Sequence, residues 1–279
     1  MITRYELKTD SPENKARLEA ALKSSGATIL SSNVVSMTRP RFTRLDTTST
    51  YAEGIEQLQE AADLTANLDP LHLFQRQDGS PIYRPLTVAE NIAALVESFN
   101  TDSSRPMEER LALIEHFTTS STGITYESNS PRVKIQPISD RLINIAPDFN
   151  APFLPIVYDE AKGVEIDTTD KTKGLYNQPL TEKQVLDNRG WNVAMGDTTD
   201  GKKTLTEFKD IVFAALSKRR NIPRENLTAM GFYAFQKPED QYRALCVDYL
   251  VCGSGAGGGS VLNDDASFLL LAQVIAEGA

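Results

Sequence analysis

The sequence predicts an α+β fold, with a mainly helical N-terminal half and a sheet-rich C-terminal half ending in an antiparallel meander. Three observations predict it. Helix-capping signatures and helical periodicity dominate before residue 120, and short extended segments broken by proline and glycine dominate after it. The last three apolar runs, 229–236, 241–252 and 267–276, then follow one another through turn-rich connections. The matching division is a mainly helical lobe over 1–120 and a sheet-rich lobe with one long helix over 121–279, which together also fit one continuous domain.

The first lobe opens as strand, helix, strand. A strand over 4–8 precedes a helix with Ser11 at the N-cap, Pro12 at the first helical position and Glu13 in the first turn. Gly26 suits the left-handed position that ends it, and 27–37 reads as the second strand. Four later helices carry a capping box at Thr50/Glu53, Thr87/Glu90, Thr181/Gln184 and Thr204/Glu207. Apolar residues recur on one face after three of them: Tyr51, Ile55 and Leu58; Val88, Ile92, Leu95 and Phe99; and Leu205, Phe208, Val212 and Leu216 in a helix over 205–219. A further helix, opened by Pro106, runs through Leu111 to Phe117, and 71–74 with 82–84 form a small hairpin around Asp78-Gly79. In the second lobe, 124–126, 132–138, 142–145 and 164–166 read as short strands.

Composition bounds the function. The 279 residues are 40% hydrophobic and 24% charged, as in an ordinary globular protein. A formal charge of −9 argues against a chain that coats nucleic acid. The opening residues lack the apolar core of a signal peptide, and no apolar run approaches the ~20 residues that span a bilayer. The expectation is a soluble, cytoplasmic protein. Cys246 and Cys252 lie too far apart along one strand to bond each other, and as buried thiols they fit a reducing compartment.

The glycine run between Cys252 and Ser260 is the feature most open to chemistry. Gly253-Ser-Gly255-Ala-Gly-Gly258 satisfies G-x-G-x-x-G, but no Lys-Ser/Thr pair follows it and a strand-like segment stands where a helix is needed. The preferred reading is a flexible antiparallel connection. The others are a phosphate cradle and a close approach to another backbone. Asp248 in an apolar strand, with Asp264 and Asp265 after the glycines, supplies the candidate catalytic carboxylates. Gly253, Gly255 and Gly258, together with Arg39 and Arg41 beside Phe42, are the candidate ligand-binding residues. A second basic group, Lys218, Arg219, Arg220 and Arg224, complements a helix C-terminus.

Other constellations carry less. Asp197 to Glu207 resembles a calcium loop, but Gly196 and Thr198 stand where charged ligands are wanted. The acids Asp159, Glu160, Glu165, Asp167 and Asp170 read as a solvated loop, and His72 and His116 supply no zinc spacing. No metal or cofactor is expected. The leading expectation is a non-catalytic binding or assembly protein that self-associates or binds a protein partner. One alternative is an enzyme acting on a phosphorylated or nucleotide substrate through the glycine run. The other is a nucleic-acid-binding protein using the arginine groups.

Overall fold

The computed structural model describes residues 3–6, 28–31, 34–37, 41–46, 50–55, 73–75, 81–83, 85–101, 106–112, 117–146, 148–157, 163–248, 255–258, 262–263 and 267–272. Strands β1 (Thr3–Glu6), β2 (Thr28–Ser31) and β3 (Val34–Met37) form one small sheet. β4 (Arg41–Asp46) stands apart from it, and β5 (Leu73–Gln75) pairs antiparallel with β6 (Pro81–Tyr83). The main sheet comprises β7 (Phe117–Tyr126), β8 (Arg132–Gln136), β9 (Val164–Asp167), β10 (Gly231–Tyr233), β11 (Gln241–Asp248) and β12 (Gly255–Gly257). Its order is β10-β12-β11-β7-β8-β9, antiparallel throughout except for the parallel pair β10 and β12. The last described strand, β13 (Ser267–Ala272), pairs antiparallel with β4, more than two hundred residues earlier in the sequence.

Helices among the described residues include α1 (Val88–Thr101), α2 (Met107–Ala112), α3 (Asp140–Ile143), α4 (Glu182–Asp187), α5 (Arg189–Ala194) and α6 (Thr199–Arg220), and residues 51–55 are helical as well. Three expected capping boxes close in both directions. Thr50, Thr87 and Thr181 each receive the N3 amide on the hydroxyl, and each cap amide donates to the N3 side chain at 2.8–3.0 Å. The fourth does not form, because α6 begins earlier. Thr198 is its cap, accepting from the Gly201 amide at 3.0 Å, which leaves Thr204 and Glu207 inside the helix.

The sheet is buried on both faces near its centre. Leu245 and Val247 of β11 join Ile124 and Tyr126 of β7 in a core shared with α1 and α6. Tyr242 and Ala244 turn to the other face and pack with Tyr51, Ile55, Leu142 and Leu154. That two-sided burial explains why β11 reads as a continuous apolar run rather than an alternating one.

β7 carries an unusual load of hydroxyls in this core. Thr118, Thr119, Ser120, Ser121 and Thr122 are all buried. They coincide with a register shift at which Ala244 opposes Gly123 but Cys246 opposes Thr119. The ladder cannot satisfy every carbonyl there, and the hydroxyls take over. Ser120 donates to the Leu245 carbonyl, Ser121 to Pro85 at 2.8 Å and Thr122 to Pro137 at 2.8 Å. Thr122 also accepts from the Val88 amide at 3.0 Å, seating the start of α1 on the sheet.

These observations correct the expected architecture. The described N-terminal segments include six strands, so a mainly helical N-terminal half is not supported. The terminal meander is absent. β12 lies between β10 and β11, and β13 leaves for β4. Residues 27–37 are two paired strands rather than one. Residues 142–145 belong partly to α3, because Ser139 caps a turn by accepting from the Leu142 amide at 3.2 Å. Phe117 opens β7 instead of closing a helix. The helix expected over 11–25 lies outside the described residues, as do His72 and His116.

An ionic network fastens α4 to α6. Arg224 donates to both carboxylate oxygens of Glu182, at 2.8 and 2.6 Å, and to Asp210 at 2.8 Å. Lys209, itself buried, stands 3.3 Å from each acid. The Arg224 hydrogen bonds hold Glu182 below the usual glutamate value of 4.5, against the opposing effect of its partial burial. A depressed carboxylate stabilises the fold above its unfolded pKa, and that contribution disappears as pH falls through the folded value. Glu182→Gln is expected to lose roughly 1.5–3 kcal/mol at neutral pH, because two cations lose a charged acceptor. Urea titrations should show the gap between wild type and variant narrowing below about pH 4.5. A gap that stays constant down to low pH would contradict the assignment.

Candidate binding site

The glycine run enters the sheet, and its missing side chains make a seat. Gly255 opposes Asp248 on β11 and Gly231 on β10, while Gly257 opposes Cys246 and Tyr233. A Cβ on Gly231 would meet the Tyr233 ring at 2.5 Å, one on Gly255 at 2.7 Å and one on Gly257 the Tyr233 Cβ at 3.1 Å. The Tyr233 side chain therefore occupies the space that three other side chains would fill. Phe235 stacks beside it, with centroids 6.1 Å apart and planes at 22°. Phe235 is 54% exposed, so a flat aromatic shelf faces outward from the end of β10.

Two features fix this shelf. On the core side, Phe232 packs edge-on against both Trp191 and Tyr176, at 6.0 and 6.3 Å. Burial pushes the Tyr176 phenol up to about 12. At the outer edge, Asn177 sits in the left-handed region at φ +59°, its amide donating to the Phe232 carbonyl and its Oδ1 accepting from the Ala234 amide. That segment covers an edge that another strand would otherwise join. Asp248, half-buried at the end of β11, acts on the same face, since burial and then the Asp248 charge raise the Tyr233 phenol.

The structure brings together some of the residues singled out in the sequence. Gly255 and Asp248 are cross-strand partners beneath the shelf. Gly258, one residue past β12, lies against Tyr126 and Ile124 on the opposite face. Arg41 begins β4 opposite Ala272, in a two-stranded sheet separate from the main one. Gly253, Asp264, Asp265 and Arg39 lie outside the described residues. Among the described residues, no group of three or more His, Cys, Asp or Glu is arranged to hold a metal. Asp200 and Glu207, from the calcium-like stretch, line an open groove of about 590 Å³ between α1 and α6.

No protein-family model matches the chain, and no curated protein matches its sequence. Structure gives a different result. A solved protein described as accommodating massive sequence variation in Nanoarchaeota by the C-type lectin fold superposes with a TM-score of 0.50 at 15% identity. The match covers 84% of this chain and 99% of that one. The chain has a C-type-lectin-like fold. This finding overturns the expected division into a helical and a sheet-rich half. In the arrangement seen here, β4 and β13 pair across the sequence, and the glycine strand β12 lies within the main sheet between β10 and β11. No helix among the described residues is long and apolar enough to cross a membrane.

Tyr233 and Phe235 were not singled out from the sequence. Their signal is the run Phe232-Tyr-Ala-Phe235, where aromatics two residues apart must share one face of an extended segment. The match between that face and three glycines becomes visible only with the β10–β12 register.

Proposed function

We propose that this is a non-catalytic binding or assembly protein that docks a protein surface, its own copy included, on the Tyr233–Phe235 shelf. The observation that carries this reading is an exposed, stacked ring pair whose position is set by a glycine seat rather than by a mobile loop. Rigid aromatic anchors dominate interface energies, because they bury large areas at little entropic cost. A fold described as accommodating massive sequence variation in another protein is a suitable scaffold for one such surface. A cytoplasmic setting is part of the proposal and accords with the buried Cys246 thiol.

The phosphate-cradle reading of the glycine run has less support. A cradle needs amides converging on open space, and Gly255–Gly257 has a strand on each side. The test is light scattering across concentration, combined with affinity capture by the full chain, using wild type and Phe235→Glu. The variant is expected to weaken self-association or capture at least tenfold, about 1.4 kcal/mol. A wild type that stays monomeric and captures the same proteins as Phe235→Glu would remove the shelf from consideration.

A further inference from the structure

The groove between α1 and α6 takes no part in the shelf and carries a patterned row of charges. The two helices pack together, and each lines the groove with residues at helical spacing. Ala93, Val96 and Asn100 come from α1 at i, i+3 and i+7, and Asp200, Lys203 and Glu207 from α6 at the same spacing. Residues seven apart on a helix are separated by about 10 Å along its axis, so α1 and α6 run side by side for about two turns. The groove spans about 590 Å³, against about 30 Å³ for one water molecule, which is room for a row of side chains. Its floor is apolar. Val96 is buried and Ala93 offers only an exposed methyl, so a docked backbone can come close.

Local sequence sets the row. The core stripe of α6 is Leu205, Phe208, Val212 and Leu216, and Asp200, Lys203 and Glu207 fall on a neighbouring stripe in the order acid, base, acid. Because Thr198 caps α6, Glu207 lies within the helix and is not drawn back to an N-terminal amide. Other charges along α6 are paired. Lys202 stands 3.6 Å from Asp197, and Lys209 stands 3.3 Å from both Glu182 and Asp210. Among the described residues, Asp200, Lys203 and Glu207 form no ion pair with one another or with any other group. Glu97 of α1 also lines the groove and is already engaged, so the row rests on α6 alone. The order of charges selects the occupant. A metal ion or a polyamine would satisfy the acids but repel Lys203. An extended peptide sets same-side residues about 7 Å apart, whereas the charges of the row recur about 4.5 and 6 Å apart along the axis. A helix laid alongside repeats the rise of α6 itself, so cation, anion and cation on one stripe meet all three charges.

We propose that the α1–α6 groove docks an amphipathic helix of a protein partner. That helix carries a cation, an anion and a cation at i, i+3 or i+4, and i+7, beside an apolar stripe that covers Ala93 and Val96. The docking site is separate from the aromatic shelf and holds whether or not the shelf binds a partner.

The experiment uses fluorescence anisotropy with the full chain and labelled alanine-based helical peptides at low ionic strength. The matched peptides carry Lys, Glu and Lys around leucine, with the central Glu at i+3 in one and at i+4 in the other. Control peptides carry Lys at all three positions. General attraction to a chain of formal charge −9 favours the all-lysine controls, whereas the row favours a matched peptide. Wild type is expected to bind the better matched peptide saturably and about fivefold more tightly than its control. Lys203→Glu should invert that preference, because the central Glu of the peptide then meets its own sign. Ala93→Trp, which fills the floor, should weaken the matched peptide roughly tenfold. Both positions are exposed, so the variants should keep the wild-type thermal midpoint. Phe235→Glu should leave peptide binding unchanged, which separates failure of this proposal from failure of the shelf. Binding that never saturates, a wild type that prefers the all-lysine peptide, or a preference that Lys203→Glu leaves intact overturns the proposal.

Discussion

Trp191→Ala is expected to cost about 3–5 kcal/mol, the largest loss of any single truncation considered for this chain. Trp191 is 0% exposed, and three separate contacts meet on it. Its amide donates to the Asn188 side chain at 3.0 Å, which caps α5. Its ring packs against Phe232, the core-facing residue of β10. Its indole Nε1 donates to the Met230 carbonyl at 2.8 Å. Met230 is a non-glycine residue at φ +52°, a conformation that surrounding contacts must hold in place. Alanine removes the ring and leaves a cavity beneath β10, together with a buried carbonyl without its donor. Trp191→Phe keeps most of the volume and loses the indole donor, so its expected cost is smaller, about 1–3 kcal/mol. Urea unfolding should rank wild type, Trp191→Phe and Trp191→Ala in that order of stability. A Trp191→Ala variant within about 1 kcal/mol of wild type would mean that the site collapses freely and that Met230 holds its conformation unaided.

How much of this was legible in the sequence depends on the range of the interaction involved. Thr50, Thr87 and Thr181 were readable because a capping box is complete within four residues. The antiparallel pairing of β5 with β6 was readable for the same reason. The Thr204/Glu207 signal failed because Thr198 offered an earlier cap and the first turn of α6 is polar. β13 was recognised as a strand, but its partner β4 lies more than two hundred residues away, and no local pattern encodes that pairing. The hydroxyl run of β7 hid the first half of a central strand. The sequence analysis assigns no element to Thr118–Thr122, because the run lacks apolar alternation, and only the register shift opposite Leu245 explains why a core strand requires hydroxyls there. The candidate site divides in the same way. Asp248 and Gly255 stood out locally, whereas Tyr233 and Phe235 acquire meaning only from the strands that bring them together.

Gly255→Val should destabilise the fold by about 1–3 kcal/mol and should also dismantle the shelf. The added Cβ would stand 2.7 Å from the Tyr233 ring and 2.9 Å from the Gly231 carbonyl oxygen. The ring alone could swing aside, but the carbonyl belongs to the neighbouring strand, so relief requires β10 and β12 to separate. Gly257→Ala provides the graded comparison, because its nearest atoms lie at 3.1 Å and a shift of a few tenths of an ångström accommodates the methyl. The expected order of stability is wild type, Gly257→Ala, then Gly255→Val. Near-UV circular dichroism should lose tyrosine signal in the valine variant as the Tyr233–Phe235 stack breaks. Any partner binding that depends on Phe235 should fall in the same order, because the ring pair is positioned by the glycines and not by its own backbone. A flexible connection predicts the opposite result: valine in a loop would leave stability, the aromatic signal and binding near wild type. The sign and size of this one substitution therefore separate a glycine strand that seats an aromatic ring from a glycine linker that joins two strands.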